Sequence, residues 1–353
     1  MPDQTLPLIF DGHNDALLKL LIAGGKPAAE SFLTGRDGDI DVPKARAGGF
    51  GGGFFALYVR SPASDYDKFE EMTQAEYDLP LPAPVSQETA LPVMMEEIAI
   101  LYRLEDIGAL KICHTAADIR ACLDSGMMAA VMHIEGAEAI DADLNALEVF
   151  HAAGLRSLGP VWSRPTIFGS GVPFRFPSDG DIGPGLTEAG VRLVRRCNEL
   201  GVMIDLSHLN EAGFWDVAKH STAPLVATHS NAHAICPHAR NLTDRQLDAI
   251  AESDGMVGLN FAVAFLREDG RMLPDVPMDT LLRHLDHLLK HLGEDRVGIG
   301  SDFDGAVSPE AISDVAGLPA LRAAMRAHGY DEALMKKICH ENWLRVLEKT
   351  CGT

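Results

Sequence analysis

Basic residues, long apolar runs and paired cysteine motifs are scarce or missing in this 353-residue sequence. The 30 Lys and Arg residues stand against 51 Asp and Glu residues, which gives a formal net charge of −21. Most of such a surface would repel a phosphate backbone, so nucleic acid is excluded as an expected partner. We attribute the acidity mainly to a solvated protein surface.

Signals for membranes and secretion are missing as well. No apolar run reaches the roughly 18 residues that a membrane-spanning helix needs. The segment Met1–Phe10 carries neither a basic region nor a long apolar stretch, and the chain shows no C-terminal lipid-anchor signal. The six cysteines form no CxxC pair, in a chain large enough to fold without disulfides. We therefore expect no membrane partner, and a cytoplasmic protein with reduced thiols.

Short apolar runs alternate with amphipathic, helix-like stretches along the chain, several of which open with a capping residue such as Thr187 or Thr243. The predicted strands are Leu8–Gly12, Phe50–Val59, Ala129–Glu135, Leu155–Trp162, Val202–His208, Leu225–His229, Met256–Phe261 and Val297–Asp302. Strands that alternate with helices predict βα units and a parallel sheet. Eight units, with no GxGxxG turn after the first strand, favour a single-domain (β/α)8 TIM barrel over residues 1–353.

Two segments rich in Pro or Gly, residues 61–84 and 163–185, lack a clear period. Loops this long are usually lids or binding loops, and both follow predicted strands, on the face where barrel active sites lie. The last amphipathic stretch predicts a C-terminal helix at about 331–349. The glycine-rich tract Gly48–Gly53 precedes a strand, so we interpret it as close backbone packing.

Five of the predicted strands end in residue types that ligate metals. The first ends in DGHND, the third in HIEG, the fifth in DLSH, the sixth in THS and the eighth in SDFD. The candidate ligands are His13, Asp15, Glu135, His208, His229 and Asp302. Alone, each histidine is better interpreted as a hydrogen-bonded core or capping residue. Three imidazoles and three carboxylates buried at one barrel rim would, however, cost several kcal/mol without a cation, so the joint pattern predicts a metal site.

The number and type of these ligands predict two metal ions. Imidazole and carboxylate groups suit Zn²⁺, and six ligands exceed what one tetrahedral ion needs. Glu135 is the best bridge, because its strand lies between the first and the fifth. Two ions about 3.5–4 Å apart would hold a hydroxide between them and polarise a carbonyl or phosphoryl oxygen. The pattern therefore predicts a hydrolase.

A family resemblance covers nearly the whole chain, from Phe10 to Leu347. It is carried by DGHND, by IEG after the third strand, by GLTEAG and NELGVMIDLSH, and by THSNAHA, ARN and GIGSDFDG. With these motifs the chain resembles the membrane (renal) dipeptidase family of binuclear zinc peptidases, as a soluble bacterial-type member. The resemblance implies an amidohydrolase-like (β/α)8 barrel that hydrolyses dipeptides, L-Xaa-L-Xaa and also L-Xaa-D-Xaa.

The resemblance also implies a ligand set for two Zn²⁺ ions. His13 and Asp15 would bind one ion, and His208 and His229 the other. Glu135 would bridge the two, together with a hydroxide.

The resemblance implies roles for two further residues. Asp302 would be the catalytic general base, which later passes the proton to the leaving amine. Arg240 would bind the terminal carboxylate of the substrate, for which a guanidinium fork is well suited.

The chain departs from the family after the fourth strand, where relatives carry Thr-His-Ser and this sequence has Val161-Trp162-Ser163. The family histidine contacts the scissile carbonyl, so Trp162 would lie against the substrate, but it cannot accept a proton and has one N–H to donate. Three explanations stay open. The metals alone stabilise the oxyanion, or Arg164, Arg175 or His233 supplies a donor, or the substrate differs.

Two competing functions follow from the same residues. One is another hydrolase on the same metal core, acting on an N-acyl amino acid, a lactone or a phosphoester. The other is a catalytically silent metal-binding paralogue, which only Trp162 favours. The sequence leaves open whether the barrel forms a homodimer.

Overall fold

Eight parallel strands form the centre of the computed structural model, which describes residues 6–61 and 67–352. They are β1 (Ile9–Asn14), β2 (Phe50–Tyr58), β3 (Ala129–Glu135), β4 (Leu155–Gly159), β5 (Met203–Ile204), β6 (Val226–Ala227), β7 (Met256–Leu259) and β8 (Val297–Ile299). Each lies within or overlaps one of the eight predicted runs.

The strands pair in the order β5-β4-β3-β2-β1-β8-β7-β6, and Lys111–Ile112 adds a short strand beside β3. Asp205, directly after β5, forms a parallel bridge with Val226 of β6 and so joins the two ends of this order. The predicted (β/α)8 barrel is confirmed.

Helices follow the strands and surround the barrel. They are α1 (Ala16–Ile22), α2 (Ala29–Thr34), α3 (Val42–Gly48), α4 (Gln87–Asp106), α5 (Ala116–Ser125), α6 (Asn145–Ala152), α7 (Glu188–Leu200), α8 (Glu211–His220), α9 (Asp244–Glu252), α10 (Val263–Leu266), α11 (Met278–Leu292), α12 (Leu318–His328), α13 (Glu332–Lys336) and α14 (Asn342–Thr350). Short 3₁₀ turns lie at Lys26–Ala28, Asp67–Thr73 and Val315–Gly317. A π-helical turn, Lys337–Glu341, joins α13 to α14 within the segment predicted as the C-terminal helix. No helix in the described ranges has the length and apolarity that a membrane crossing requires.

Side chains of the barrel strands alternate between two cores. Phe10 and Phe54 point into the barrel interior, where they meet Trp343 from α14. Their neighbours Ile9 and Phe55 belong to the larger core between the barrel and the helices. This alternation is the two-residue period of a strand that is buried on both faces.

The glycine-rich tract at the start of β2 has the close packing predicted for it. A Cβ atom on Gly52 would lie 2.0 Å from the carbonyl oxygen of Ala129, and one on Gly53 would lie 2.6 Å from that of Asp11. β2 can therefore approach both neighbouring strands only because these positions carry no side chain.

The two long loops meet above the carboxyl ends of the strands. Tyr77–Asp78 from the first loop pairs antiparallel with Arg175–Phe176 from the second, and the rings of Phe69 and Phe174 lie 5.4 Å apart. Residues 62–66 of the first loop lie outside the described ranges. The loops thus form one side of the barrel mouth.

Candidate metal centre

Barrel topology brings the six predicted ligands to the same rim. His13 lies in β1, Asp15 directly follows that strand, and Glu135 ends β3. The remaining three, His208, His229 and Asp302, lie in the loops that follow β5, β6 and β8. All are buried except Asp302, which is partly exposed. The carboxyl ends of parallel strands share one edge, which explains why residues so distant in sequence meet.

One oxygen atom, Oε1 of Glu135, lies at the centre of the cluster. It is 3.0 Å from Nε2 of His208, 3.5 Å from Nε2 of His229 and 3.6 Å from Nε2 of His13. The same nitrogen of His13 lies 3.4 Å from Oδ2 of Asp15. Glu135 therefore belongs to two groups of three donors, one with His208 and His229 and one with His13 and Asp15. Within each group, the ligand atoms all lie within 4.8 Å of one another.

Hydrogen bonds behind the cluster fix which nitrogen of His229 faces it. The hydroxyl of Thr228 donates to Oδ2 of Asp205 at 2.6 Å, so its oxygen accepts from Nδ1 of His229 at 2.8 Å. Nε2 of His229 is therefore the unprotonated nitrogen, with its lone pair directed at the site. Nδ1 of His208 is likewise engaged, with the hydroxyl of Ser163 at 2.8 Å.

The positions of these nitrogens fit a bound cation. Nε2 of His208 and Nε2 of His229 lie 3.1 Å apart, and two neutral imidazoles repel each other if both present lone pairs at this distance. Both ring nitrogens of His13 are buried and make no hydrogen bond to the described residues. A metal ion that accepts these electron pairs would satisfy all three rings, whereas buried, unpaired polar atoms are costly.

The charges at the site also fit a cation. Burial raises the pKa of Glu135 well above its usual value and lowers the pKa values of His208 and His229 well below theirs. Burial alone would lower the pKa of His13, but the carboxylates of Glu135 and Asp15 raise it to about 10. The cluster therefore stabilises added positive charge. Mixed nitrogen and oxygen donors suit a divalent transition metal.

Backbone geometry that the sequence does not reveal positions two of the candidates. His208 has φ 68° and Asp302 has φ 62°, in the left-handed region that non-glycine residues rarely adopt. Such residues cost about 1–3 kcal/mol each and persist where the surroundings hold them. Here the N–H of Asp302 donates to the carbonyl of His13 at 3.0 Å, and the carbonyl of His208 accepts from Val172 at 2.8 Å.

Gly305, which ends the SDFDG motif, is required by the carboxylates next to it. A Cβ atom at this position would lie 2.1 Å from Oδ2 of Asp15 and 2.7 Å from Oδ1 of Asp302. These two carboxylates therefore lie side by side. The other oxygen of Asp302 accepts a hydrogen bond from Nδ2 of Asn260 at 3.0 Å. The sequence analysis did not single out Asn260, which carries no motif of its own.

Arg240 lies directly behind His229 and is buried. Its Nη2 donates to the carbonyl of His229 at 3.1 Å, and its Nη1 to the hydroxyl of Ser230 at 3.3 Å. Its Nε is buried and finds no hydrogen-bond acceptor among the described residues. The guanidinium thus retains donor capacity next to the cluster.

Trp162 lines the large cavity at the barrel mouth, which has a volume of about 640 Å³ and reaches Glu135, His208 and Asp302. Its ring lies 5.9 Å from that of His208 and 5.2 Å from that of Tyr58. The position at which the family has a histidine is therefore an aromatic wall beside the cluster.

The three residues considered as substitutes for that histidine make other contacts. Arg164 is buried, and Nε and Nη2 of its guanidinium both donate to Oε1 of Glu138. Arg175 lies 2.7 Å from Asp78, and a ring nitrogen of His233 lies 2.9 Å from a backbone carbonyl. Neither these three residues nor Arg240 are among the described residues that line the cavity, so the comparison depends on their contacts. Of the three explanations for Trp162, the substitute donor is thus the one that this geometry disfavours.

Comparisons with known proteins agree with this geometry. The profile of the membrane dipeptidase family, peptidase family M19, matches residues 4–352. An uncharacterized protein in the pqqA 5′ region of Klebsiella pneumoniae is 51% identical over 260 residues, which is 73% of this chain and 96% of the relative.

Two solved structures are similar over almost their full length. One is a metallo-peptidase from Rhodobacter sphaeroides liganded with a phosphinate mimic of the dipeptide L-Ala-D-Ala, 59% identical with a TM-score of 0.95, covering 98% of this chain and 99% of that chain. The other is dipeptidase AC, a metallo-peptidase of family M19, 58% identical with a TM-score of 0.95, covering 99% of this chain and 100% of that chain. Neither comparison favours the competing hydrolase or the silent paralogue. The chain therefore belongs to the membrane dipeptidase family, peptidase family M19, and with it to the metallo-dipeptidases.

Proposed function

We propose that this metallo-dipeptidase uses two Zn²⁺ ions to hydrolyse L-Xaa-L-Xaa and L-Xaa-D-Xaa dipeptides. His13 and Asp15 would hold one ion, His208 and His229 the other, and Glu135 both. The observation that carries the proposal is the arrangement of three imidazole nitrogens 3.0–3.6 Å from a single oxygen of Glu135. Donors of both proposed ions thus surround one carboxylate, which supports a shared role for Glu135.

The metal ions would supply an activated, bridging hydroxide and positive charge next to the scissile carbonyl. Asp302 would act as the general base. One of its oxygens accepts from Asn260, and the other faces the carboxylate of Asp15 at the mouth of the cavity. From there Asp302 would take the proton of the attacking water and pass it to the amine as the C–N bond breaks.

Arg240 would restrict the enzyme to dipeptides by binding their free α-carboxylate. Its buried guanidinium has a free Nε and lies next to His229. A charge-assisted contact at a fixed distance from the cluster would place only the peptide bond of a two-residue substrate at the reacting position.

Trp162, at the cavity wall, would pack against the substrate and contribute shape without accepting a proton. Arg164, Arg175 and His233 contact other protein groups. The metal ions would therefore stabilise the oxyanion.

A D-residue at the second position is supported by the solved relative at 59% identity, whose ligand mimics L-Ala-D-Ala. We also place the enzyme in the cytoplasm. All six cysteines are free thiols, as a reducing compartment favours.

The proposal is tested by metal analysis together with a dipeptide screen. Purified protein given ample zinc should retain at least two equivalents, two of them in the barrel, and hydrolyse both L,L and L,D dipeptides. The Asp302→Asn variant should keep the zinc and lose about 10²–10⁴-fold in kcat, which is the usual contribution of a general base. Retention of fewer than two equivalents, or no turnover across the panel, would refute the proposal.

A further inference from the structure

A second group of metal-ligand side chains lies between α9 and α11, outside the described residues that line the cavity. His287 and His291 are four residues apart on α11, so both rings project from one side of this helix. The ring centroids lie 4.8 Å apart. Across from them is Asp244, the first residue of α9. Nε2 of His287 lies 2.7 Å from one oxygen of Asp244, and Nε2 of His291 lies 3.5 Å from the other.

A carboxylate behind His291 fixes the orientation of its ring. Nδ1 of His291 lies 2.8 Å from Oδ1 of Asp248, one turn further along α9. An ionised carboxylate only accepts, so Nδ1 carries the proton and Nε2 is free to present a lone pair. Nε2 is buried and makes no hydrogen bond within the described chain. This is the carboxylate–imidazole arrangement found behind histidine ligands of metals.

We propose that Asp244, His287 and His291 form a peripheral site for a divalent transition cation such as Zn²⁺, with Asp248 as a positioning residue. Donors about 2.0–2.1 Å from a tetrahedral zinc ion lie about 3.3 Å from each other, close to the 3.5 Å between Nε2 of His291 and Asp244. Nε2 of His287 donates a hydrogen bond to Asp244 at 2.7 Å, and a bound cation would displace that proton. Two imidazoles exclude Mg²⁺ and Ca²⁺ as the preferred ions, because both favour oxygen ligands. Water would complete the coordination.

The hydrogen bond from Nε2 of His287 to Asp244 needs no metal ion, but ion pairing alone leaves Nε2 of His291 without a partner among the described residues. If His291 were doubly protonated, its Nε2 would be a buried donor and would be expected to hydrogen-bond to Asp244, but at 3.5 Å it does not. If His291 is protonated only at Nδ1, a cation shared with Asp244 would accept the lone pair of Nε2 and so give this buried atom a partner.

An occupied site would fasten the start of α9 to α11. Asp244 is four residues from Arg240, and α11 also holds the loop after β6, since Nδ1 of His284 accepts from the N–H of Ala232 at 3.2 Å. The site would therefore stabilise the segment that carries Arg240. The inference is independent of the proposed dipeptide chemistry, because it concerns only metal binding and stability.

Calorimetric titration with Zn²⁺ of protein whose barrel site is already loaded tests the proposal. The unsubstituted protein should bind one additional equivalent at low micromolar free Zn²⁺, and the double variant His287→Ala, His291→Ala should not. A His328→Ala variant is the matched control, since His328 also pairs with a surface carboxylate, that of Asp286, and should leave the additional equivalent intact. Equal stoichiometry in the unsubstituted protein and the double variant would overturn the site.

Two more variants complete the test. Asp248→Asn should lower the Zn²⁺ affinity of the additional equivalent about 10–100-fold, as loss of a carboxylate behind a ligand does, and an unchanged affinity would overturn its positioning role.

Added Zn²⁺ should raise the melting temperature more in the unsubstituted protein than in His291→Gln. That single change also decides the question if the double variant does not fold. Dipeptide hydrolysis should persist in every variant, so a failure here is distinct from a failure of the barrel centre.

Discussion

At the residue scale, Arg240 is the side chain on which the proposed selectivity for dipeptides depends. Replacement by Met keeps an unbranched apolar chain but removes the charge and the free Nε. The KM for dipeptides should rise about 30-fold or more, because loss of one partner from a buried charge pair costs about 2 kcal/mol or more. Steady-state kinetics with dipeptides and with the corresponding dipeptide amides measures this, since the amides lack the carboxylate and should be spared.

The matched control for this change is Arg245→Met. Arg245 lies on α9 near Arg240 in sequence, but it is mostly exposed and stacks over the ring of Trp215. Its replacement should leave both KM values unchanged. If dipeptide turnover survived Arg240→Met intact, the carboxylate role of Arg240 would be wrong.

Glu97 of α4 is a buried carboxyl group whose protonation should make stability pH-dependent. Its Oε2 accepts from the N–H of Tyr58 at 2.7 Å, while its Oε1 has no hydrogen-bond partner in the described ranges. Burial, opposed only by that hydrogen bond, raises the pKa of Glu97 well above its usual value. In the unfolded chain the group ionises near its usual pKa, whereas in the folded protein it stays protonated to a higher pH. The folded state therefore loses stability as the pH rises from the usual pKa towards the raised one.

Glu97→Gln should remove this loss, because the amide does not ionise. The variant should match the unsubstituted protein below the usual pKa of Glu and gain on it above, by up to about 1.4 kcal/mol per pH unit. Urea unfolding near pH 5 and near pH 8 measures the difference. Glu96→Gln, at the exposed neighbouring position, should show no such trend. Parallel stability profiles for Glu97→Gln and the unsubstituted protein would contradict the assignment.

At the scale of elements, glycines allow the strands to close around one carbonyl. Cβ atoms on Gly12, Gly258 and Gly300 would lie 2.4, 2.0 and 2.0 Å from the backbone oxygen of Thr228. Those positions belong to β1, to β7 and to the residue after β8, so three strand ends converge on the loop that presents His229. The spacing of His229 from its partners thus depends on the absence of three side chains.

Gly300→Ala should therefore destabilise the fold and displace the metal ligands. Its Cβ would meet rigid backbone, and overpacking of this kind costs about 1–3 kcal/mol or more. Gly159→Ala, at the end of β4, is the control, because its Cβ would lie no closer than 3.4 Å to any atom. Denaturant unfolding and zinc content of both variants check this. Equal stability of the two would argue against the packing explanation.

Prediction of the elements from sequence succeeded where the pattern was strong. All eight strands were found, because buried parallel strands are near-continuous apolar runs. The helices that were not predicted are α1, α2, α3, α5, α10 and α12. α1 follows β1 directly as ALLKLLI, a short apolar segment whose period does not distinguish helix from strand.

At the scale of the whole molecule, barrel closure and the metal centre share a side chain. Oδ1 of Asp205 accepts from the N–H of Thr228 at 2.8 Å, which adds to the single bridge between β5 and β6. Its Oδ2 holds the Thr228 hydroxyl that orients His229. The strands at this seam have two residues each, so metal binding and the integrity of the seam should depend on each other.

Metal removal should therefore lower the stability of the whole barrel. A ligand that binds only the folded state adds about 4 kcal/mol when its free concentration is a thousand times Kd. Chelation should lower the melting temperature in scanning calorimetry, and returned Zn²⁺ should restore it. Glu135→Gln, which lacks the shared carboxylate, should respond far less. A melting temperature unaffected by chelation would contradict the coupling.

The sequence by itself determined the eight strands, the barrel and the candidate residues at the strand ends, because apolar period and strand-end chemistry are local properties of the chain. Tertiary structure alone decided what those residues touch. Arg164 donates to Glu138, and Asn260 donates to Asp302. The ring of Trp162 lines the cavity, and His208 adopts a left-handed backbone conformation. Tertiary structure also brought Asp244 from one helix to His287 and His291 of another. Such contacts depend on distances between segments far apart in sequence, which no local pattern encodes.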